Sequence, residues 1–389
     1  MKKVTVLGGG IAGVEAAIYL RKKNFEVTLI SNRDYDYIYP ISIWIPTGEK
    51  TLDDVSIPLA KLARRHGFQV IVDEVINVRA RENKVLLKNQ GEYTDYDYLV
   101  IAIGASKLKP EGVEHTLSVC GDPKEAVMLN DRLEDLAERG YGKIAVGFGG
   151  NPKDPSAVRG GPAFEVMFNF HHFLTKRQLR DQFDLTFFAP MENPGARMGD
   201  QVVVGMNKMF KNLGIDTKFG KKITRFVPDG VIFEDGSKLE SDLTMFISAG
   251  TGHYALKDSD LPLSEAGFIK IDDYCQVEGF DNVYAIGDAA ALGTTDWEAK
   301  QGHVAEVMAR NTAHNLATRE AGGSDFLGYK EHLSILCVMD SGNGAVYVER
   351  DYKRAKMKFM PIYGHWVKRG WGMYYKLSKM NRIPRLPGM

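Results

Sequence analysis

The residues Gly8-Gly9-Gly10-Ile11-Ala12-Gly13 constrain this chain more than any other feature. They fit G-x-G-x-x-G, follow the β-branched run KVTVL, and open the amphipathic stretch VEAAIYLRKK, which leads to a second strand, FEVTLIS. That order is a βαβ unit. In such a loop Gly8 permits the tight turn, Gly10 lets backbone approach a pyrophosphate, and Gly13 lets helix and strand pack closely. The helix start around Ala12 presents free N–H groups and a positive dipole end to phosphate. The sequence therefore predicts a dinucleotide site in an α/β fold.

An acid is expected about twenty residues further on, to take the ribose hydroxyls. Here the strand ends in Ser31-Asn32, neutral groups that still hydrogen-bond a hydroxyl. Two later segments extend the site. YDYLVIAIGAS ends at Gly104, where a missing side chain lets backbone lie close to a flat ligand. NVYAIGDAA places Gly287 and Asp288 after an apolar strand, where a carboxylate accepts from a sugar or ribityl hydroxyl.

A second βα unit begins at KIAVGFGG and runs through EVMFNFHHFLTKRQLRD into FDLTFFAP. Its glycines, Gly147, Gly149 and Gly150, lead into a polar stretch containing Pro152 and Pro155. That breaks the direct passage from turn to helix that makes an anion site, and the following strand ends without an acid. The second unit reads as a degraded nucleotide site, which argues against NADH as electron donor.

A chain of 389 residues with 44% hydrophobic and 26% charged residues is globular and too long for one ordinary core. It contains no run of membrane-spanning length and starts directly with a strand, so the expectation is no signal peptide and, by default, the cytoplasmic side. Cys120, Cys275 and Cys337 are too few for a disulfide framework and lack metal-ligand spacing, so no metal is expected. Each is either an inert small hydrophobe or a redox participant. From Tyr352 to Met389 there are ten Lys or Arg and no acid, which leaves residues 1–351 with 40 bases against 50 acids. In this tail the cations interleave with Tyr363, Trp366, Trp371, Tyr374 and Tyr375. Aromatic rings favour the membrane interface and cations favour anionic headgroups, so a peripheral, monotopic contact with a membrane surface is predicted. The acidic body disfavours nucleic acid. The other use of such a tail is an aromatic-rich contact in a homo-oligomer.

Taken together, GGGIAG, YDYLVIAIGAS and NVYAIGDAA resemble the three FAD-contacting motifs of the pyridine-nucleotide-disulfide reductase superfamily, and the resemblance implies FAD. VTLISNRDYDYIYP, GGPAFE, EAKQGHVAEVMARNTAHN and ILCVMDSGNGAVYV are similar to segments of sulfide:quinone oxidoreductases, whose relatives include flavocytochrome c sulfide dehydrogenases and type II NADH:quinone dehydrogenases. The resemblance implies that Cys337 faces the flavin and that Cys120 is an additional cysteine near the flavin's dimethylbenzene edge. Lys300 and Gly302 belong to a Lys-x-Gly segment at the flavin pyrimidine, where a cation stabilises the anionic reduced flavin. The plainer reading of Lys300 is a solvated helix-start residue. Glu165 is implied as a proton relay to quinone, or is simply a helix-start carboxylate favoured by the dipole. Tyr363 and Trp366 would bound the quinone pocket. His171 and His172 read as surface or packing residues.

One departure stands out. Arg159-Gly160-Gly161-Pro162 occupies the place of the family's partner cysteine, so a two-cysteine sulfur bridge cannot form in the usual way. Either Cys120 substitutes, or Cys337 works alone and passes its persulfide to an external acceptor, or the sulfide chemistry is absent.

The expected architecture is two interleaved Rossmann-like domains plus a small C-terminal membrane-associating segment. Residues 1–115 and 251–325 would form the FAD-binding domain, 116–250 the second domain, and 326–389 the redox-cysteine and quinone-site segment. The expected activity is FAD-dependent electron transfer from sulfide, or another reduced sulfur species, through Cys337 to membrane quinone. The alternatives are a type II NADH:quinone dehydrogenase and a non-catalytic flavoprotein that docks a membrane partner.

Overall fold

Strands buried on both faces of a parallel sheet read as continuous apolar runs, and KVTVL, YLVI and LTMFI are such runs, almost wholly buried. The computed structural model describes residues 1–293 and 297–385, so the last four residues of the expected C-terminal segment lie outside them. One five-stranded sheet has the order Val283–Ala285, Tyr98–Ile101, Lys3–Leu7, Glu26–Ser31, Gln69–Val72, all parallel. A four-stranded sheet has the order Asp216–Phe219, Phe183–Ala189, Gly142–Phe148, Leu243–Ile247, again all parallel. Both follow the strand order of a Rossmann-like unit, as expected for this α/β chain.

The chain leaves the first unit and returns to it through paired two-residue strands, with Ser106 opposite Thr251 and Lys107 opposite Gly250. The first sheet therefore draws its last strand from beyond the second unit. Because its strands are parallel, the loops at Gly8, Gly104 and Gly287 all emerge at the same, carboxyl-terminal edge, where open α/β sheets bind ligands. Helices Ile11–Lys22 and Gly302–Glu320 pack together beside that edge. In the second unit, Phe164 of helix Gly161–Lys176 stacks on Phe187 with centroids 4.7 Å apart, and Phe210 closes the cluster at 5.0 Å from Phe187. Aromatic pairs of this kind contribute about 0.5–1.5 kcal/mol beyond burial, and here they fix the helix that carries Glu165.

Residues Ile335–Asp340, Gly344–Arg350 and Ala355–Pro361 form an antiparallel meander that leads into helix Tyr363–Lys379. This tail helix lies on the body of the protein. A Cβ at Gly364 would sit 2.6 Å from the Ala345 Cβ, and one at Gly372 would sit 2.9 Å from Ile41, so its glycines set the close approach. Four of the ten tail cations expected to serve anionic headgroups are instead used within the chain. Lys368 and Lys379 are buried against acids of the body, Arg369 pairs with Glu49, and Arg385 pairs with Glu15. The split between acidic body and basic tail is thus partly satisfied within the chain.

Candidate active site

The glycine loop has the geometry its spacing predicts. Gly8 has φ +104°, and a Cβ on Gly8 would strike the Ala102 carbonyl oxygen. A Cβ on Gly13 would strike the carbonyl oxygen of Gly8, so both positions exclude any side chain. Gly10, by contrast, faces open space, with nothing within 4 Å of a Cβ built there. No side chain caps the helix that starts at Ile11, which leaves its N–H groups to an incoming anion. Ser31 is buried, with its hydroxyl 2.5 Å from where a Gly9 Cβ would be, while Asn32 is exposed at the same strand end. Gly104, at φ +75°, also opens on free space. At Gly287, with φ +63°, a Cβ would come 2.9 Å from the Ala12 Cβ, so the Asp288 turn rests on the glycine loop itself. Gly302 opens its helix against Ile11. This open cradle, bounded by three turns and an uncapped helix end, fits a flavin dinucleotide.

Next to Ile11 begins a cavity of about 1460 Å³, lined by Cys120, Arg159, Glu165, Lys300, Cys337 and Lys368 among others. It unites all four side chains expected to be catalytic, from four separate stretches of chain. Cys337 lies on the first strand of the C-terminal meander, opposite Val348, with its Sγ 3.9 Å from where a Cβ on Gly161 would stand. Burial pushes its thiol up to about 12; the Glu165 carboxylate adds to this and the Lys368 ammonium opposes it. Cys275 is fully buried beside Thr312 with its thiol raised still further, a packing cysteine.

Glu165 is buried and ion-paired with Lys368 of the tail helix, and it accepts the Asp340 backbone N–H at 3.2 Å. Burial outweighs the Lys368 ammonium and pushes this carboxyl up to about 7. A carboxyl that titrates near neutrality is suited to proton transfer. The Asp340 carboxylate, also buried, bonds His365 Nδ1 at 2.7 Å and accepts the Trp44 indole N–H at 3.2 Å, which ties the meander to the tail helix.

The plainer reading of Lys300, a solvated residue, is overturned. Lys300 is buried, donates to the Ala290 carbonyl and sits 4.0 Å from the centroid of the Phe268 ring. Burial brings its ammonium down to about 7, Asp154 opposes the shift, and Arg159 adds to it. Arg159 forms an ion pair with Asp288, across the gap between the two units. His171 and His172 pack as expected; burial pushes His171 down to about 4, and His172 lies against Gly342.

Tyr363 and Trp366 are not brought to this cavity. They are 47% and 64% exposed, and the tail helix instead turns Val367, Trp371 and Tyr374 toward it. Lys368 was missed by sequence reasoning; the one signal for it was a basic tail on an acidic body. Among the described residues no His, Cys, Asp or Glu cluster could hold a metal ion.

Two Rossmann-like units, one intact glycine loop, and a cavity that joins a thiol to a titrating carboxyl define a flavin-dependent oxidoreductase. The chain belongs to the Pyridine nucleotide-disulphide oxidoreductase family, which it matches over residues 2–314, and it is FAD-dependent. It is 27% identical over 371 residues to the sulfide-quinone reductase of Aquifex aeolicus, covering 90% of this chain and 84% of that protein. It is 25% identical over 388 residues to a type II NADH:quinone oxidoreductase of Staphylococcus epidermidis, covering 92% and 93%. The crystal structure of the Aquifex aeolicus sulfide:quinone oxidoreductase superimposes with a TM-score of 0.87 at 24% identity, covering 98% of this chain and 92% of that one.

Proposed function

We propose that this protein oxidises sulfide, or another reduced sulfur species, at Cys337 and delivers the electrons to quinone. The observation that carries the reading is that Cys337 and the buried Glu165–Lys368 pair share one cavity with Lys300. Bound FAD supplies the reversible two-electron chemistry between donor and acceptor. Gly8, Gly10, Ala12, Gly13, Ser31, Asn32, Gly104, Gly287, Asp288 and Gly302 would hold it.

The remaining steps belong to side chains. Cys337 is protonated at neutral pH, so it needs a base before it acts as a nucleophile. Glu165, with its carboxyl at about 7, takes up and releases protons at working pH. Lys368 holds that carboxyl in place, and Trp371 and Tyr374 wall the cavity on the tail side. Arg159 replaces the partner thiol, so Cys337 hands its sulfur either to an external acceptor or to Cys120, which lines the same cavity.

The outer side of the tail exposes Phe359, Ile362, Trp366 and Met373, apolar side chains suited to the membrane in which quinone dissolves. No helix among the described residues is long and apolar enough to cross a membrane, so the contact proposed is peripheral.

Rapid anaerobic mixing tests the reading. Sulfide alone should bleach the oxidised flavin, and Cys337→Ser should slow this by more than about three orders of magnitude, since removal of a nucleophile costs up to about a millionfold, with FAD retained. Unchanged bleaching in that variant refutes the role of Cys337. Because Gly150 and Asn193 of the second unit also line the cavity, NADH is the second arm. Bleaching by NADH alone would replace this reading with an NADH:quinone dehydrogenase, and no bleaching by either donor would favour a non-catalytic docking protein.

A further inference from the structure

We infer that Arg159 is a positioning residue that holds Asp288 and cancels its charge beside the flavin site with a cation that does not titrate, in the place where the resembled family keeps a second thiol. The inference rests on reading Gly8–Gly13 and Asp288 as the FAD site. The loop around Arg159 does approach the reactive sulfur, since Gly161 lies against Cys337. The Arg159 side chain does not follow it. It reaches to the first unit and pairs with Asp288, the carboxylate whose turn rests on Ala12 of the glycine loop. Both partners keep about a quarter of their side-chain surface accessible, 27% and 23%. The pair is therefore at the cavity edge and not in the packed core.

The charges around this point are unevenly matched. Arg159 and Lys300 both line the cavity, and Lys107 lies close enough to feel Arg159 and Cys120. Against these three cations stand Asp288, taken by Arg159, and Asp154, which acts on Lys300 from a distance. Burial weakens the two ammoniums, bringing Lys107 down to about 8 and Lys300 to about 7, with Arg159 contributing in both cases. A guanidinium does not give up its proton in this range, and its planar fork fixes a carboxylate in orientation as well as in charge. Arg159 thus orients Asp288 and cancels its charge even when the ammoniums are neutral. When the cofactor gains two electrons, its added negative charge then meets a neutral Arg159–Asp288 pair and not a bare carboxylate.

The test measures the flavin midpoint potential of the FAD-loaded full chain against reference dyes at pH 8, with neither sulfide nor quinone present. Arg159→Gln should shift the balance toward oxidised flavin about tenfold, a potential about 30 mV lower for a two-electron couple. Arg159→Lys, which keeps the charge, should recover most of that shift. A balance shifted less than twofold in Arg159→Gln overturns the inference. Should that variant lose FAD on purification, Lys300→Met decides. A potential near wild type supports Arg159 as the cation that sets the potential, and a tenfold shift assigns that role to Lys300 and overturns the inference. Wild-type protein that binds no FAD would overturn the flavin-site reading with it, whereas an unchanged potential in an FAD-loaded variant counts against Arg159 alone.

Discussion

The helices that follow the two glycine loops each bury a glutamate, and the pair repays comparison. Glu15 lies two residues beyond Gly13, and Glu165 lies four beyond Gly161. Each takes a lysine from the tail helix, Lys379 for Glu15 and Lys368 for Glu165. The lysines are eleven residues apart, about three helical turns, so both project from one face. The surroundings then diverge. Around Glu15, burial is overcome by Lys379, Arg385 and Arg310 together, which hold it below the usual carboxylate range. Glu165 has Lys368 and one backbone N–H, with Asp340 nearby as a second acid, and burial wins. The same architecture serves once to fix a carboxylate and once to leave it ready to titrate.

The sharpest way to break the comparison is at the loops themselves. Gly13→Val drives a side chain into the Gly8 backbone, whereas at Gly150 a Cβ would meet only the flexible end of Met191, at 3.7 Å. Gly13→Val should weaken FAD retention by about a thousandfold, about 4 kcal/mol, and Gly150→Ala should leave it unchanged; flavin absorbance after gel filtration reads both. Equal losses would mean that the second loop also cradles a nucleotide.

Next in size is Lys379→Met. It leaves buried Glu15 and Glu306 short of a cation they share, and breaking a buried pair in this way costs about 3–5 kcal/mol. The denaturant midpoint should fall accordingly. The pH dependence carries a sign. The Glu15 pKa is depressed, so its stabilisation is present above the unfolded-state value and is lost as pH falls through the folded one. Acid lability should therefore shrink in Lys379→Met.

Glu165→Gln should act on turnover more than on folding. Quinone reduction should drop about a hundredfold, the low end of general acid–base contributions, and the limb of the pH–rate profile near 7 should disappear. Here the linkage runs the other way. The Glu165 pKa is raised, so the folded state holds the proton more tightly and stability from this group declines as pH rises from about 4.5 to 7. Glu165→Gln should flatten that slope. A limb that persists at pH 7 would move the proton relay to another residue.

The flavin cradle was legible in the sequence because each of its parts is a local requirement. Gly8 and Gly13 tolerate no side chain, and Gly104 and Gly287 adopt φ values that glycine favours, all within a few residues of a strand end. The delayed helix of the second unit was legible for the same reason, since Pro152 and Pro155 follow its glycines and the helix does not begin until Gly161. The Glu165–Lys368 pair was not, because its members are 203 residues apart and meet only when the tail helix docks. Tyr363 and Trp366 look like pocket walls in the sequence because aromatics spread over about half the circumference of that helix, and composition does not reveal its rotation. The charge division was visible, but its partner was the chain's own body.

That inward docking changes how membrane contact should be tested. Deleting everything after Lys358 would remove Lys368, Tyr375 and Lys379, all buried, so loss from a membrane fraction could reflect unfolding. The outer face offers a cleaner experiment. Ile362, Trp366 and Met373 are 73%, 64% and 63% exposed; Ile362 immediately precedes the helix, and the seven-residue spacing of Trp366 and Met373 keeps those two on one side of it. A large apolar side chain transferred from water contributes about 1.5–3 kcal/mol when fully buried, and at the shallow depth of an interface about half of that is a reasonable scale. Each change to Ser should then weaken binding to anionic liposomes about tenfold, the smallest of these effects, while the melting temperature and the flavin spectrum stay as they are. If liposome binding survives all three substitutions together, the outer face of the tail is not the membrane contact.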